Sequence, residues 1–227
     1  MIASRTEPSS VMYLSVDMVR SKQLKTAYMR RRESWLPLFR DLFETFPLIF
    51  VGKVAQRFLK EDEVPEYRVW KTLGDEIVFY APVQEARARV LLLAAFHDAI
   101  VQFDGRNKEM GGYGVKGCGW TVVLDGVNET IEIPEMASTN GAAYEDVIGP
   151  DVDFGFVLSK HGRDRQTVID QGMAGLVDEF GETIGLTTIA HDTIDTPFRI
   201  ESVASTFLLA ERGPRPANAA DSPVPPE

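Results

Sequence analysis

Two carboxylates, those of Asp17 and Asp75, stand where apolar stretches of the chain end and could face each other. Asp17 closes the apolar run over residues 11–19, which predicts a buried strand with a polar residue at its exit. Asp75 follows Gly74 between two β-rich runs, where glycine permits the tight turn of a hairpin. Two such carboxylates can bind a pair of Mg²⁺ or Mn²⁺ ions that activate an attacking hydroxyl and neutralise a leaving pyrophosphate. A helix cap at Asp17 and a simple turn at Asp75 are the competing interpretation.

The elements that must position these carboxylates follow from the hydrophobic pattern. Helical spacing over residues 22–46 predicts a long helical region, in one piece or in two, with a break or kink at Pro37. The same reasoning predicts strands over residues 67–73, 76–80, 115–125, 166–169, 185–189 and 198–203, and helices over residues 84–103, 151–160 and 174–180. This alternation implies an α+β fold in which helices cover a mixed or antiparallel sheet.

Composition bounds the class of protein. Of the 227 residues, 44% are hydrophobic and 26% are charged, as in an ordinary globular protein. A net charge of -10 repels polyanions, so we expect neither a nucleic-acid nor a membrane partner, and any phosphate ligand must be held locally. The single Cys118 allows no internal disulfide, and three histidines cannot build a Cys/His zinc cluster. A reducing compartment, the cytoplasm, fits these counts.

The ends of the chain differ from its middle. Residues 1–10 carry Arg5 and Glu7 without the apolar core of a signal peptide, so they are expected to form an N-terminal arm. In residues 213–227 five of fifteen residues are proline, which predicts a disordered Pro- and Ala-rich tail. We therefore expect one domain over residues 11–212.

Three sequence motifs, in register, resemble those of class III nucleotidyl cyclases. They are S-V-D-M-V-R-S over residues 15–21, V-W-K-T-L-G-D-E over residues 69–76 and D-V-I-G-P-D-V-D over residues 146–153. Their order and separation agree with the family over residues 11–203. The resemblance implies a ferredoxin-like domain, a head-to-tail homodimer with active sites at its interface, and two divalent cations, Mn²⁺ or Mg²⁺.

The resemblance also implies roles for particular residues. Asp17 and Asp75 would be the metal ligands, assisted by the backbone carbonyl of Met18. Phosphate would meet backbone amides at a helix N-terminus, those of Val19, Arg20 and Ser21. In the dimer the groups that contact the base would come from the protomer opposite the metal aspartates.

Those base-contacting groups would be Lys71 and Asp146. One donor and one acceptor can satisfy adenine, cytosine or uracil, so the pair does not choose among them. Guanine-selective members of the family commonly have Glu in place of this lysine, which makes GTP the least expected substrate. A pyrimidine leaves a void that a bulky side chain must fill. The candidates are Phe50, Trp70, Trp120 and Tyr144, for each of which a place in the core or interface is the alternative.

Departures from the family pattern fall on the catalytic groups. Asp153 stands where Asn is usual, and Val157 stands where the family has the Arg that stabilises the transition state. Because residues 153, 157 and 160 share a helical face, Lys160 is the candidate substitute, with a solvated helix-end lysine as the alternative. Arg199 or His191 is the candidate for holding the terminal phosphates.

A closer resemblance concerns I-G-P-D-V-D-F-G-F over residues 148–156, which runs into L-S-K at residues 158–160. This string resembles the pyrimidine cyclases of the bacterial Pycsar anti-phage system. The resemblance implies a uridylate cyclase that converts UTP to 3′,5′-cyclic UMP and pyrophosphate, and a downstream effector that responds to the cyclic nucleotide. A cytidylate cyclase acting on CTP, an adenylate cyclase and a catalytically silent nucleotide-binding domain remain alternatives, since no residue decides among them.

Overall fold

A computed structural model describes residues 9–109, 112–133, 144–197 and 200–208, without the side chain of His191. Residues 1–8 of the predicted N-terminal arm, the whole predicted tail over residues 213–227, and residues 198–199 lie outside these ranges, whereas Ser9 and Ser10 of the predicted arm begin the first strand. The strands are β1 (Ser9–Met18), β2 (Arg68–Leu73), β3 (Glu76–Ala81), β4 (Val115–Leu124), β5 (Glu129–Ile133), β6 (Tyr144–Ile148), β7 (Thr167–Ile169), β8 (Leu186–Asp195) and β9 (Ile200–Leu208). The helices are α1 (Ser21–Arg30), α2 (Leu36–Arg57), α3 (Ala86–Glu109), α4 (Pro150–Leu158) and α5 (Gln171–Ile184), and a 3₁₀ turn, Ser159–His161, continues α4.

Seven of these strands form one mixed sheet in the order β2-β3-β1-β4-β7-β9-β8. Neighbouring strands are antiparallel except β4 and β7, which run parallel. Strands β5 and β6 form a separate two-stranded antiparallel ribbon. The α+β class and the mixed sheet predicted from the sequence are confirmed.

Strand β1 lies in the middle of the sheet and is buried on both faces, because its side chains alternate between two apolar clusters. Met12, Leu14 and Val16 point into the larger cluster, which α2, α3 and α5 cover. Tyr13 points to the other face, which α4 covers with Val152, Phe154 and Leu158. By the same alternation Asp17 belongs to the α4 face of the sheet.

The structure differs from the predicted elements at several boundaries. The helical region predicted over residues 22–46 consists of two helices, because α1 ends at Arg30 and α2 begins at Leu36, so the predicted break is confirmed. Pro37 lies in the first turn of α2, where its missing N–H costs nothing. The predicted end at Phe46 is wrong, because α2 continues through Pro47 to Arg57. Strands β5 and β6 were missed altogether. None of the described helices is both long enough and apolar enough to cross a membrane.

Candidate functional site

Asp17 and Asp75 line one cavity of about 470 Å³ at the end of β1. Asp17 is the last but one residue of β1, directly opposite Glu76 of β3. Asp75 lies in the turn between β2 and β3, which requires glycine at Gly74 because its φ is +69°. Met18 lines the same cavity. The hairpin therefore brings the two predicted metal ligands together within a single chain.

The carboxylates of this cavity are crowded and partly buried. Burial raises the pKa of Asp17 to about 6, with the negative charges of Asp75 and Glu76 acting in the same direction and Lys116 opposing them. Burial also raises the pKa of Glu76, against the nearby Ser15 hydroxyl and Lys116. Carboxylates that are crowded and partly removed from water gain most when a cation neutralises them.

The donor chemistry fits Mg²⁺ or Mn²⁺, which prefer carboxylate, carbonyl and phosphate oxygens. Within the described ranges no three His, Cys, Asp or Glu side chains are grouped so that they could hold a metal ion. The carboxylates of Asp17 and Asp75 would therefore need the Met18 carbonyl and oxygens of a substrate to complete a coordination shell.

The predicted phosphate loop is corrected at its first residue. The amide of Val19 donates a hydrogen bond to the carbonyl of Gly114 at 2.9 Å, so it is engaged in the backbone ladder. The first bond within α1 runs from the amide of Leu24 to the carbonyl of Arg20, at 3.0 Å. The amides before Leu24 in α1 have no partner inside the helix. Those amides belong to Ser21, Lys22 and Gln23, all of which line the cavity.

Arg20 enters α1 in the left-handed conformation, with φ 59° and ψ 33°. Such a conformation is uncommon for a residue with a side chain and costs about 1 kcal/mol. Arg20 is exposed and lines the cavity, so a strained residue adjoins the predicted phosphate site.

The predicted base-contacting pair forms elsewhere on the chain. Lys71 of β2 places its Nζ 2.9 Å and 3.1 Å from the two carboxylate oxygens of Asp146 on β6. Both side chains are mostly buried, with 24% and 19% exposed. Neither residue lines the cavity of Asp17 and Asp75. Within a single chain the two predicted halves of the site do not share this lining, and their roles stay predictions.

Among the four candidate fillers, Trp70 contacts this pair. The Nζ of Lys71 lies 3.6 Å from the centre of the Trp70 ring, a cation–π contact. Phe50 instead packs in the large cluster against Phe79 and Phe96, at 5.1 Å and 5.4 Å between ring centres. Trp120 is fully buried and stacks on Tyr13, and Tyr144 begins β6 at a partly buried position.

The predicted catalytic residues are separated by the structure. Lys160 lines the cavity, but Asp153 is exposed and does not, and Val157 packs in the α4 cluster. The shared helical face assumed for these residues is wrong, because α4 ends at Leu158 and Lys160 lies in the 3₁₀ turn. Arg199 and the side chain of His191 lie outside the described residues.

Sequence reasoning missed Lys116, whose Nζ is 3.3 Å from Asp17 Oδ2. It also missed Lys25, whose Nζ is 3.9 Å from Asp75 Oδ1. Lys116 could have been found from its place within an otherwise apolar, glycine-rich strand. A charged side chain in a buried strand needs a partner of opposite charge.

The mixed sheet, with the β2–β3 hairpin at one edge and α4 on the face of Asp17, is the fold of class III nucleotidyl cyclase catalytic domains. The adenylyl cyclase CyaB from P. aeruginosa is 10% identical, with a TM-score of 0.59 over 88% of this chain and 95% of that one. The catalytic core of a rhodopsin-guanylyl cyclase with converted specificity, in complex with ATPαS, is 12% identical, with a TM-score of 0.61 over 90% and 98%. An adenylate cyclase from Trypanosoma brucei in its monomeric state is 15% identical, with a TM-score of 0.56 over 94% and 95%.

Because these sequence identities are low, the structural similarity establishes the fold alone. No protein family and no curated protein match the sequence.

Proposed function

We propose that this chain is a nucleotidyl cyclase that converts UTP to 3′,5′-cyclic UMP and pyrophosphate. The observation that carries the proposal is the cavity shared by Asp17, Asp75 and the first turn of α1. It combines carboxylates for cations with free amides for phosphate, on the fold of adenylyl and guanylyl cyclase catalytic domains.

Asp17, Asp75 and the Met18 carbonyl would hold two divalent cations, Mg²⁺ or Mn²⁺. When bound, such ions activate the ribose 3′-hydroxyl for attack on the α-phosphorus and neutralise the departing pyrophosphate. The amides of the first turn of α1 would bind the phosphates, since their residues line the cavity at the positive end of the helix. Lys160 and Arg20 add positive charge at its rim.

The site is shared between two copies of the chain in this proposal. Lys71 and Asp146 form a close pair that does not line the cavity of Asp17 in the same chain, and we assign the metal half to one chain and the base half to its partner. A head-to-tail homodimer supplies both halves twice.

The choice of a pyrimidine rests on Trp70 and on the resemblance to pyrimidine cyclases. An indole ring against Lys71 takes up space beside the base-contacting pair, which suits the smaller ring of uracil. Lys71 and Asp146 would contact the base by one donor and one acceptor. Cytosine satisfies such a pair equally, so CTP is the substrate nearest to UTP.

The first test is to incubate the purified protein with ATP, GTP, CTP and UTP together with Mn²⁺ and to resolve the cyclic products by mass spectrometry. Cyclic UMP as the main product is expected, and Asp17→Ala or Asp75→Ala should abolish it while the dimer stays folded. Cyclic AMP as the main product would refute the pyrimidine assignment. No product from any nucleotide would favour a silent nucleotide-binding domain, as Val157 in place of the family arginine allows.

The proposed biological role is that of a second-messenger synthase in anti-phage defence, which acts through a separate effector. Bacterial cells that express the protein should accumulate cyclic UMP after phage infection and not before it. The control is a strain that expresses Asp17→Ala. Equal cyclic UMP in infected and uninfected cells would contradict the role but not the enzymatic activity.

A further inference from the structure

Lys116 lies against one of the two aspartates of the cavity. It is directly opposite Asp17 in the β1–β4 ladder, so both side chains stand on the same face of the sheet. Its Nζ is 3.3 Å from Asp17 Oδ2 and donates a hydrogen bond to the carbonyl oxygen of Ser159 at 2.9 Å. The side chain is only 15% exposed, so these two oxygens replace much of the water around its charge.

The stem of Lys116 is also held in place. A Cβ added at Gly162 would lie 3.2 Å from Lys116 Cδ, so the chain after the 3₁₀ turn packs closely on the methylene groups. The amide of Gly162 donates to the same Ser159 carbonyl at 3.4 Å. The ammonium is therefore fixed between β1 and the turn that carries Lys160.

The second aspartate, Asp75, also contacts a lysine ammonium, but this interaction is weaker than the one at Asp17. Lys25 Nζ is 3.9 Å from Asp75 Oδ1, its side chain is 30% exposed, and it lies 4.3 Å from the centre of the Phe39 ring. Coulomb attraction weakens with distance and with access to water, so Lys25 holds its aspartate less firmly than Lys116 does.

We propose that Lys116 is a built-in counter-ion of the metal site, whose ammonium holds Asp17 in place and competes with divalent cations for its carboxylate. The inference rests on the proposed function, which makes Asp17 a metal ligand. A cation at Asp17 shares the carboxylate with a positive charge that cannot move far away, so the two repel each other. The site then binds a metal ion tightly only together with the anionic triphosphate.

The test measures the affinity of the full chain for Mn²⁺ alone, without nucleotide, by electron paramagnetic resonance of free Mn²⁺. Lys116→Met should raise the affinity by about tenfold or more, because one competing charge is gone. Lys116→Gln removes the charge but keeps an N–H donor for Ser159, and should raise it similarly. Lys25→Met should raise it less, and Lys60→Met, at an exposed position outside the cavity lining, should leave it unchanged.

The outcomes separate this inference from the proposed function. Asp17→Asn must weaken Mn²⁺ binding; if it does not, Asp17 is no metal ligand and both proposals are overturned. If Asp17→Asn weakens binding but Lys116→Gln leaves it unchanged or weaker, only the counter-ion role is overturned. Thermal unfolding of each variant without metal checks folding, and Lys116→Gln carries the test if Lys116→Met does not fold.

Discussion

The ammonium of Lys71 lies 2.9 Å and 3.1 Å from the two carboxylate oxygens of Asp146, so the two residues form a bidentate ion pair. Asp146 Oδ1 also accepts the amide of Val147 at 2.9 Å, which fixes the carboxylate relative to β6. Because the indole ring of Trp70 lies 3.6 Å from the same ammonium, the pair combines a polar edge with an aromatic wall. A base that binds here would form hydrogen bonds with those donors and acceptors of Lys71 and Asp146 that the ion pair does not use.

Trp70→Ala should relax the selectivity for the base. Removing the indole opens space beside Lys71, which a purine can use and a pyrimidine cannot fill. We expect the ratio of cyclic AMP to cyclic UMP, formed from equal ATP and UTP, to rise about tenfold or more. Tyr67→Ala is the matched control, because Tyr67 is also a partly buried aromatic residue but packs on Phe50 at 5.1 Å. An unchanged ratio in Trp70→Ala would place the selectivity elsewhere.

Mixing two inactive variants should restore activity if the site is shared. Asp17→Ala damages the metal half and Lys71→Ala the base half, so each homodimer is inactive. A mixed dimer has one intact site, and an equal mixture of freely exchanging protomers should recover about a quarter of the wild-type rate.

The control mixture combines Asp17→Ala with Asp75→Ala, which damage the same half and should recover nothing. If subunit exchange is demonstrated with labelled chains and the first mixture still stays inactive, each chain holds its own complete site.

Arg20→Gly should make the protein more stable and less active. Glycine adopts a φ of 59° without strain, and after its larger unfolded-state entropy is deducted we expect a gain of about 0.5 kcal/mol in the free energy of unfolding. Loss of the guanidinium at the cavity should raise KM for the nucleotide about tenfold, the value of one charge-assisted hydrogen bond. Urea unfolding and steady-state kinetics measure the two effects.

Arg32 supplies the matched control, because it also has a φ of 59° but does not line the cavity. Arg32→Gly should gain similar stability with unchanged kinetics. If Arg20→Gly kept the wild-type KM, the guanidinium would have no part in binding phosphate.

His97 should make the fold sensitive to acid. Its side chain is fully buried, with Nδ1 3.0 Å from Thr167 Oγ1, and burial lowers its pKa to about 4. The unfolded chain takes up this proton below a pH of about 6.5, so stability is complete above that pH and falls by about 3 kcal/mol on the way to pH 4. Unfolding by urea at several pH values should show that His97→Gln removes this part of the loss. The control is His161, whose side chain is partly exposed and pairs with Asp192 at 3.1 Å. A steep loss that persists in His97→Gln but not in His161→Gln would contradict the assignment.

The sequence predicted those parts of the fold that local signals determine. Strand β1 and the hairpin around Gly74 follow from apolar alternation and a turn residue, and both are confirmed. Strands β5 and β6 were missed because they are five residues each, lie mostly outside the core and, in the part of the chain that the structure describes, pair only with one another. The end of α2 was missed because Pro47 is tolerated inside a helix whose packing outweighs one lost bond.

The residues of the candidate site likewise fall into those that the sequence predicted and those that it did not. Motifs indicated Asp17, Asp75, Lys71 and Asp146, and the structure places the members of each pair together. Lys116 was not found, because its partner is set by the register between β1 and β4 and not by any spacing along the chain. Register depends on the whole sheet, so a contact of this kind becomes visible only in three dimensions.

Gly155→Ala should destabilise the protein and disturb the cavity together. A Cβ at Gly155 would lie 2.0 Å from Trp120 Cε2, and Trp120 is fully buried, so neither side can yield and α4 must move off the sheet. We expect a loss of about 3 kcal/mol in the free energy of unfolding, measured in urea. Gly175→Ala in α5 is the matched control; it meets nothing within 4 Å and should gain about 0.5–1 kcal/mol from helix propensity. Because α4 leads directly to the Ser159 carbonyl that Lys116 binds, the Gly155 variant should also lose cyclase activity, whereas wild-type stability in it would show that α4 does not rest on Trp120.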